Sequence, residues 1–448
     1  MSASERTLSR TTIATYAIGS LGTGGFATLP GLVLVYYLTD TLGIAALAAG
    51  VLVTAAKVWD VLIDPVIGSA SDRSLAVRGS RRPLMIVGAL ALPVFFVLTF
   101  AVPEGIGPLA SGLWVLIAFL VTATAFSLFQ VPYIALPAEI VSGYDERTKL
   151  ISARVVVLTI AILLFGAGGP EIRDAFEFEA TGYLVMAVVA GLVIGGGMLI
   201  STFSARRGLP VTPVKTSIAD SYRSGIAVLR RSQPFRVLLL AFLLQGLATG
   251  VMLAGAQYVA TWVLGTGVTI LFVSLIAPAV LFAPLWALVS RRLGKERTFV
   301  ISSVLFLVAA LSLTLLIWAP GAWIYASVGL AGAGYAGMQS LPMSMLPDVI
   351  SHDAETSGPG SAGIFGGVWT AGETTGMALG ATVLTIVLAI SGYVESVGLQ
   401  EVTQPESAVV GIILSFSIVP ALIIVASLVA FARYPLRKKD VDEEAVAA

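Results

Sequence analysis

The segment Lys57-Val-Trp59-Asp60-Val-Leu-Ile63-Asp64-Pro65 lies inside an apolar run from about Ala45 to Gly68. On a helix, Asp60 and Asp64 share one face, with Lys57 a turn earlier on the same side. A carboxylate at bilayer depth costs roughly 3 kcal/mol or more, so two on one face must look into protein or a cavity rather than lipid. Like charges this close ionise together only with a cation between them, and Lys57, a sodium ion or a proton each meets that need. The chemistry that follows is binding of a coupling ion. A Lys57–Asp60 pair that merely joins helices is the alternative, and it leaves Asp64 without a purpose. Pro65 frees the Val61 carbonyl from its helical bond and adds an oxygen near the carboxylates.

These residues need a membrane around them, and composition supplies it. Across 448 residues the chain is 57% hydrophobic and 12% charged, with a mean hydropathy of +0.94. These values exclude a soluble globular protein. A net charge near zero offers nothing to nucleic acid. With no Cys and one His, His352, neither thiolate chemistry nor a zinc site is expected. Met1–Arg10 shows no cleavable leader pattern before an apolar run much longer than a leader's core, so that run is read as the first span.

Apolar segments long enough to cross ~30 Å of hydrocarbon fall near 12–38, 45–69, 84–102, 111–137, 152–169 and 181–204, and again near 236–262, 268–290, 298–318, 323–347, 363–391 and 408–432. The expected fold is all-α and polytopic, with twelve transmembrane helices in two six-helix halves. The halves are 1–204 and 236–432, joined by a linker 205–235 and followed by a tail 433–448. Among the 26 basic residues, all but Lys57 and Arg173 lie at the termini or in alternate loops. That bias puts both termini in the cytoplasm, in the inner membrane if the source is bacterial. In the linker, Ile218, Tyr222, Ile226 and Leu229 recur at helical spacing among arginines, as in an amphipathic surface helix. A solvated linker is the plainer reading of its role.

Two further patterns bear on function. Helix 4 reads Gln130-Val-Pro132 through Pro137-Ala-Glu139, and helix 10 reads Gln339-Ser-Leu-Pro342 through Pro347-Asp348. Paired prolines at matching places in each half suit a two-half transporter built by repetition. After helix 2 comes Asp72-Arg73, then Arg78, Arg81 and Arg82. Charge-assisted pairs of Asp72 with Arg73 or Arg78 would latch helices at the inner edge and so act on gating; a topological arginine run is the alternative.

These residues resemble the major facilitator superfamily and, more narrowly, the glycoside-pentoside-hexuronide:cation symporter family. The resemblance rests on Trp59-Asp60 and Asp64-Pro65, Pro132 and Pro137, Asp145–Thr148 with Arg154, Met345–Ile350, and Gly367-Val-Trp369 with Gly380. It implies a sodium or proton symporter working by alternating access, with Asp60, Asp64 and Ser127 holding the cation and no other cofactor. The family's amide before the second aspartate is Ile63 here, so weak sodium selectivity is expected, with protons able to substitute. Its sugar-binding acids fall on Gly24 and Gln130, and its helix-11 lysine falls on Thr374, beside Glu373. Lysophosphatidylcholine symporters are similar to the same family.

Candidate substrate contacts are Lys57, Gln130, Arg154, Tyr258, Trp369 and Glu373, with Gln245, Gln257, Trp262 and Gln339 as further hydrogen-bonding positions. Packing is the alternative for each, and an ion pair with Glu139 or Glu373 is the alternative for Arg154. A glycoside-like or similar small organic solute is the first reading, and a lysolipid the second. The expected protein is a monomer among membrane lipids. An intramembrane enzyme would need a nucleophile or metal cluster, and a channel would need rings of pore-lining charge. Without a phosphate-binding glycine loop, the energy comes from an ion gradient.

Overall fold

The computed structural model describes residues 9–140, 144–205, 218–357, 362–397 and 402–436. Eleven described helices are long and apolar enough to span a bilayer. A further 34-residue helix, Ile324–Ser357, occupies the place of the tenth expected span. Its Gln339, Ser340 and Ser344 dilute the apolar run. The chain forms two compact units. The first holds Met1–Lys215 with Glu395–Glu401, and the second holds Thr216–Val394 with Val402–Ala448.

The first unit begins with α1 (Arg10–Ile18) and α2 (Ser20–Tyr36), which meet at Gly19 and end in a π-helical turn, Tyr37–Thr41. Then come α3 (Ala46–Arg78), α4 (Arg82–Phe100), α5 (Gly107–Ile140), α6 (Tyr144–Asp174) and α7 (Glu179–Ser201). Pro65 does not interrupt α3, which runs 33 residues through it. Small residues let these helices approach closely, as expected where hydrocarbon gives no hydrophobic drive between them. Gly24 of α2 lies against α6, and a Cβ there would stand 2.6 Å from the Ala161 side chain and 3.1 Å from the Leu158 carbonyl. Arg173, the basic residue that broke the charge bias, is 4% exposed and bonded to Asp174 and Tyr183. Its charge is satisfied inside the protein and has no bearing on topology.

The second unit starts with α8 (Ile218–Arg231), followed by α9 (Gln233–Tyr258), which ends in a second π turn, Val259–Leu264. The same device at the end of each unit's first span is a repeat that hydropathy does not reveal. Next come α10 (Val268–Leu293), α11 (Lys295–Ser312), α12 (Ile324–Ser357) and α13 (Ala362–Ser391). The last span is broken at Ser417 into α14 (Glu406–Phe416) and α15 (Ile418–Phe431).

The linker helix is docked rather than solvated. Val228 is buried in a core with Phe235, Val349, Phe365 and Leu436, and Gly225 packs on Val368. Ile226, expected on the apolar face, points outward and is 51% exposed. Arg231 fixes the helix by donating through Nε and Nη2 to the carboxylate of buried Asp353 in α12. Of the spaced apolar residues, Leu229 packs against this core and Ile226 does not, so tertiary packing selects a face centred on Val228 rather than on Ile226; Tyr222 lies outside the described side chains.

Candidate functional site

In the first unit, α3 and α5 bring the predicted cation ligands together. Lys57 Nζ stands 3.5 Å from Asp60 Oδ2, and the two side chains are 29% and 13% exposed. Ser127 on α5 is buried and its hydroxyl reaches Asp64. One oxygen of each carboxylate, Oδ1 of Asp60 and Oδ1 of Asp64, is buried with no hydrogen-bond donor. Buried polar atoms are normally satisfied, so two orphaned anionic oxygens one turn apart mark a place for a positive ligand. Hard oxygen donors of this kind suit an alkali ion or a proton. Among the described residues no group of three or more His, Cys, Asp or Glu offers a site for a more demanding metal.

The surroundings fix these groups. Lys57 lies over the Phe26 ring at 5.8 Å, and Phe26 stacks on Phe126 with centroids 4.4 Å apart. Trp59 donates its indole N–H to Thr124 Oγ1 at 2.8 Å, tying α3 to α5. Ile63, where the family has an amide, supplies no donor or acceptor. Gly24, where the family has an acid, has no room for a side chain of any kind against α6. Loss of that acid is therefore built into the α2–α6 packing.

A second cluster joins α1, α2, α5 and α6. The Arg154 guanidinium lies 5.2 Å from the Tyr133 ring, which stacks on Tyr16 at 4.7 Å. Tyr133 donates its hydroxyl to the Tyr16 carbonyl at 2.9 Å, and its oxygen lies 3.1 Å from Ser20 Oγ. Arg154 Nε and the Tyr16 hydroxyl are both buried, and neither makes a hydrogen bond of good geometry. Both are donors. An oxyanion between them would satisfy both. Gln130 is close by sequence but already engaged, its Oε1 accepting from Thr23 at 2.8 Å. Reading the sequence missed Tyr16, Ser20, Thr23 and Tyr133. Their only signal was a polar atom on an otherwise apolar helix face. Glu139 and the Asp145–Thr148 motif fall outside the described side chains.

In the second unit the expected contacts separate. Tyr258 is fully buried, edge-on to Tyr393 at 5.4 Å. Trp369 is 3% exposed and stacks on Phe242 at 4.4 Å, with its indole N–H lacking a partner. Both belong to the core in this conformation, so they present no surface to a solute. Gln245, also buried, donates to Ser303 at 2.8 Å and holds α9 to α11. Glu373 of α13 differs. It is half-buried, bonded to Gln339 of α12 and close to Tyr335, all neutral partners. Trp262 lies at the π turn, edge-on to Tyr393 at 6.4 Å.

The residues expected to act on gating pair differently from the expectation. Asp72 pairs with Arg81 at 2.6 Å across the α3–α4 turn, and Arg81 also donates to Ser71 at 2.7 Å. Arg73 and Arg78 are exposed and make no ion pair among the described residues. The turn itself, with Gly79 at φ +67°, brings Arg81 back onto Asp72, whereas Arg73 points a third of a turn away on the helix.

The chain is 24% identical to the glucuronide carrier protein homolog of Escherichia coli K12, over 97% of this chain and 94% of that one. It is 24% identical to the mouse sodium-dependent lysophosphatidylcholine symporter 1, over 91% and 82%. A solved structure from work on proton dependent oligopeptide transporters superposes with a TM-score of 0.68 at 13% identity, over 98% and 99%, which shows the fold. The model for MFS/sugar transport proteins matches residues 15–438, and the chain belongs to that family: it is a multi-pass secondary transporter and not an enzyme.

Proposed function

We propose that this protein is a cation-coupled symporter for a small organic solute bearing an oxyanion, and that Asp60, Asp64 and Ser127 hold the coupling ion. The observation that carries the cation reading is the pair of buried, undonated oxygens on Asp60 and Asp64. Lys57 neutralises Asp60, leaving Asp64 and the remaining carboxylate oxygens for a sodium ion or a proton. With Ile63 withdrawing a ligand, sodium is held by fewer oxygens, and a proton shared between carboxylates is an adequate substitute. Both termini lie in the cytoplasm by the charge bias, and Asp72 with Arg81 steadies the α3–α4 turn during gating.

The solute reading rests on Arg154 Nε and the Tyr16 hydroxyl, adjacent buried donor atoms that make no hydrogen bond of good geometry. A glycoside with an acid group fits best, and two relatives are named for cargo of matching chemistry: a glucuronide carries a carboxylate and a lysophosphatidylcholine carries a phosphate. A lysolipid is the alternative cargo.

The test is uptake into proteoliposomes of a labelled glucuronide and a labelled lysophosphatidylcholine, with sodium and proton gradients imposed separately. Gradient-driven accumulation of the glucuronide, lost in Asp64→Asn, is the expected result. Accumulation of the lysolipid alone, with no competition from any glycoside, reverses the order of cargo. Uptake of either that persists at full rate without a gradient removes the coupling assignment.

A further inference from the structure

The second unit carries a groove that has no part in solute or cation binding. It lies where the span Lys295–Ile317 begins and the span Glu406–Phe431 ends, and it encloses about 540 Å³. Glu296, Arg297, Val300, Ile301, Phe431 and Tyr434 line it. Because both spans start or stop there, its polar mouth sits at the bilayer edge and its floor sits in hydrocarbon.

The two ends differ in chemistry. Val300 and Ile301 are exposed, and Val304, Val308 and Leu311 continue the same apolar stripe along α11 at helical spacing. At the mouth, Arg297 is exposed and makes no ion pair among the described residues. Lys295 does not compete for ligands there, since it is held by Asp348 Oδ2 at 2.6 Å and the Ser344 carbonyl at 2.9 Å. The Glu296 carboxylate is folded against Gly294, where φ is +90° and a Cβ would stand 2.9 Å from Oε2. Only glycine gives the carboxylate that place. Tyr434 stacks on Phe431 at 5.1 Å. Burial, with the carboxylates of Asp348 and Glu296 close by, pushes its phenol above the usual range, so it stays an O–H donor.

A guanidinium and a phenol as donors, a carboxylate beside them and an apolar channel below match one kind of molecule. We propose that this groove binds a phospholipid with a phosphoethanolamine headgroup. The phosphate lies on Arg297 and the Tyr434 hydroxyl, the ammonium on Glu296, and one acyl chain along Val300, Ile301 and Val304. A guanidinium fork suits phosphate oxygens. A primary ammonium donates hydrogen bonds to Glu296, whereas a choline group has none to give, and a glycerol headgroup brings no cation to the carboxylate.

The experiment is native mass spectrometry of the full chain purified with equimolar ethanolamine, glycerol and choline phospholipids of identical acyl chains. One ethanolamine lipid should be retained in preference to the other two. Arg297→Ala and Arg297→Gln should each lower its retention about tenfold, the loss of one charge-assisted contact. Glu296→Gln should keep a lipid but erase the preference for ethanolamine over choline. Arg292→Ala, an exposed arginine outside the groove, should change nothing. Solute binding and thermal midpoint, measured on every variant, show that the fold is kept. Equal retention of all three lipids, preference for the glycerol lipid, or Arg297 variants that behave like Arg292→Ala would each overturn the assignment.

Discussion

Lys57 Nζ stands 3.5 Å from Asp60 Oδ2, while Asp64, one turn further along α3, has the Ser127 hydroxyl and, among the described residues, no ion pair. The two aspartates are therefore not equivalent. Asp64→Asn should abolish gradient-driven uptake while leaving the protein in the membrane, since it removes the carboxylate that no ion pair holds among the described residues. Asp60→Asn should also abolish coupling, and in addition it strands Lys57 against Phe26 in a half-buried position, so its thermal midpoint should fall below that of Asp64→Asn. Coupled uptake at the parent rate by either variant would sink the cation site.

Sodium and protons compete for the same carboxylates in this scheme. Protonation fills the site as pH falls, so the sodium concentration giving half-maximal uptake should rise toward acid pH, by up to about tenfold per pH unit once protons dominate. Total uptake should persist, because the proton then drives it. Measuring sodium dependence at pH 5.5 and pH 8 decides the matter, and strict dependence on sodium at pH 5.5 speaks against sharing.

Arg154→Lys keeps the charge but loses the planar fork over Tyr133. For an oxyanion-bearing solute the affinity should fall about tenfold, and Tyr16→Phe should cost a smaller factor, one neutral hydrogen bond. Equilibrium binding in detergent reads both. A solute whose affinity ignores both changes does not place its anion there.

Asp72→Ala and Arg81→Ala each break the 2.6 Å pair across the α3–α4 turn. Both variants should slow transport with little change in equilibrium binding, because the pair lies at a helix end and not among the site residues. Single-turnover exchange separates the two effects. A matched loss of binding at equal folding assigns the pair to the site instead.

Arg231→Ala removes the guanidinium that pairs with the buried carboxylate of Asp353. Arg231 is itself partly solvated, so the cost should be about 1–3 kcal/mol, below that of a fully buried pair. A lowered thermal midpoint, restored in part by the added substitution Asp353→Asn, is the expected pattern.

The sequence by itself determined that this chain crosses a membrane many times, that it is built from two similar halves, and that helix 2 holds Asp60 and Asp64 on one face. Each of these is local: apolar length, proline spacing and a four-residue offset are periodic quantities that a single helix displays. Gly24 and Ile63, read from the sequence as departures from a family pattern, were equally local. Tertiary structure decided which groups meet. Tyr133 reaches the Tyr16 carbonyl across 117 positions of sequence, and no periodicity of either helix encodes that pairing. Trp369 and Tyr258 read as solute contacts because an aromatic on a spanning helix packs or binds with the same composition, and only their neighbours Phe242 and Tyr393 distinguish the two. Asp72 had four arginines within ten positions, with Arg73 and Arg78 the expected partners, and the turn at Gly79 selected Arg81. The linker's apolar spacing named a helix, but the direction it faces was set by Val228 entering a core assembled from five other helices and by Arg231 closing on Asp353. Periodicity tells a helix which of its faces is apolar; its partners are chosen by packing and charge compensation among segments distant in sequence.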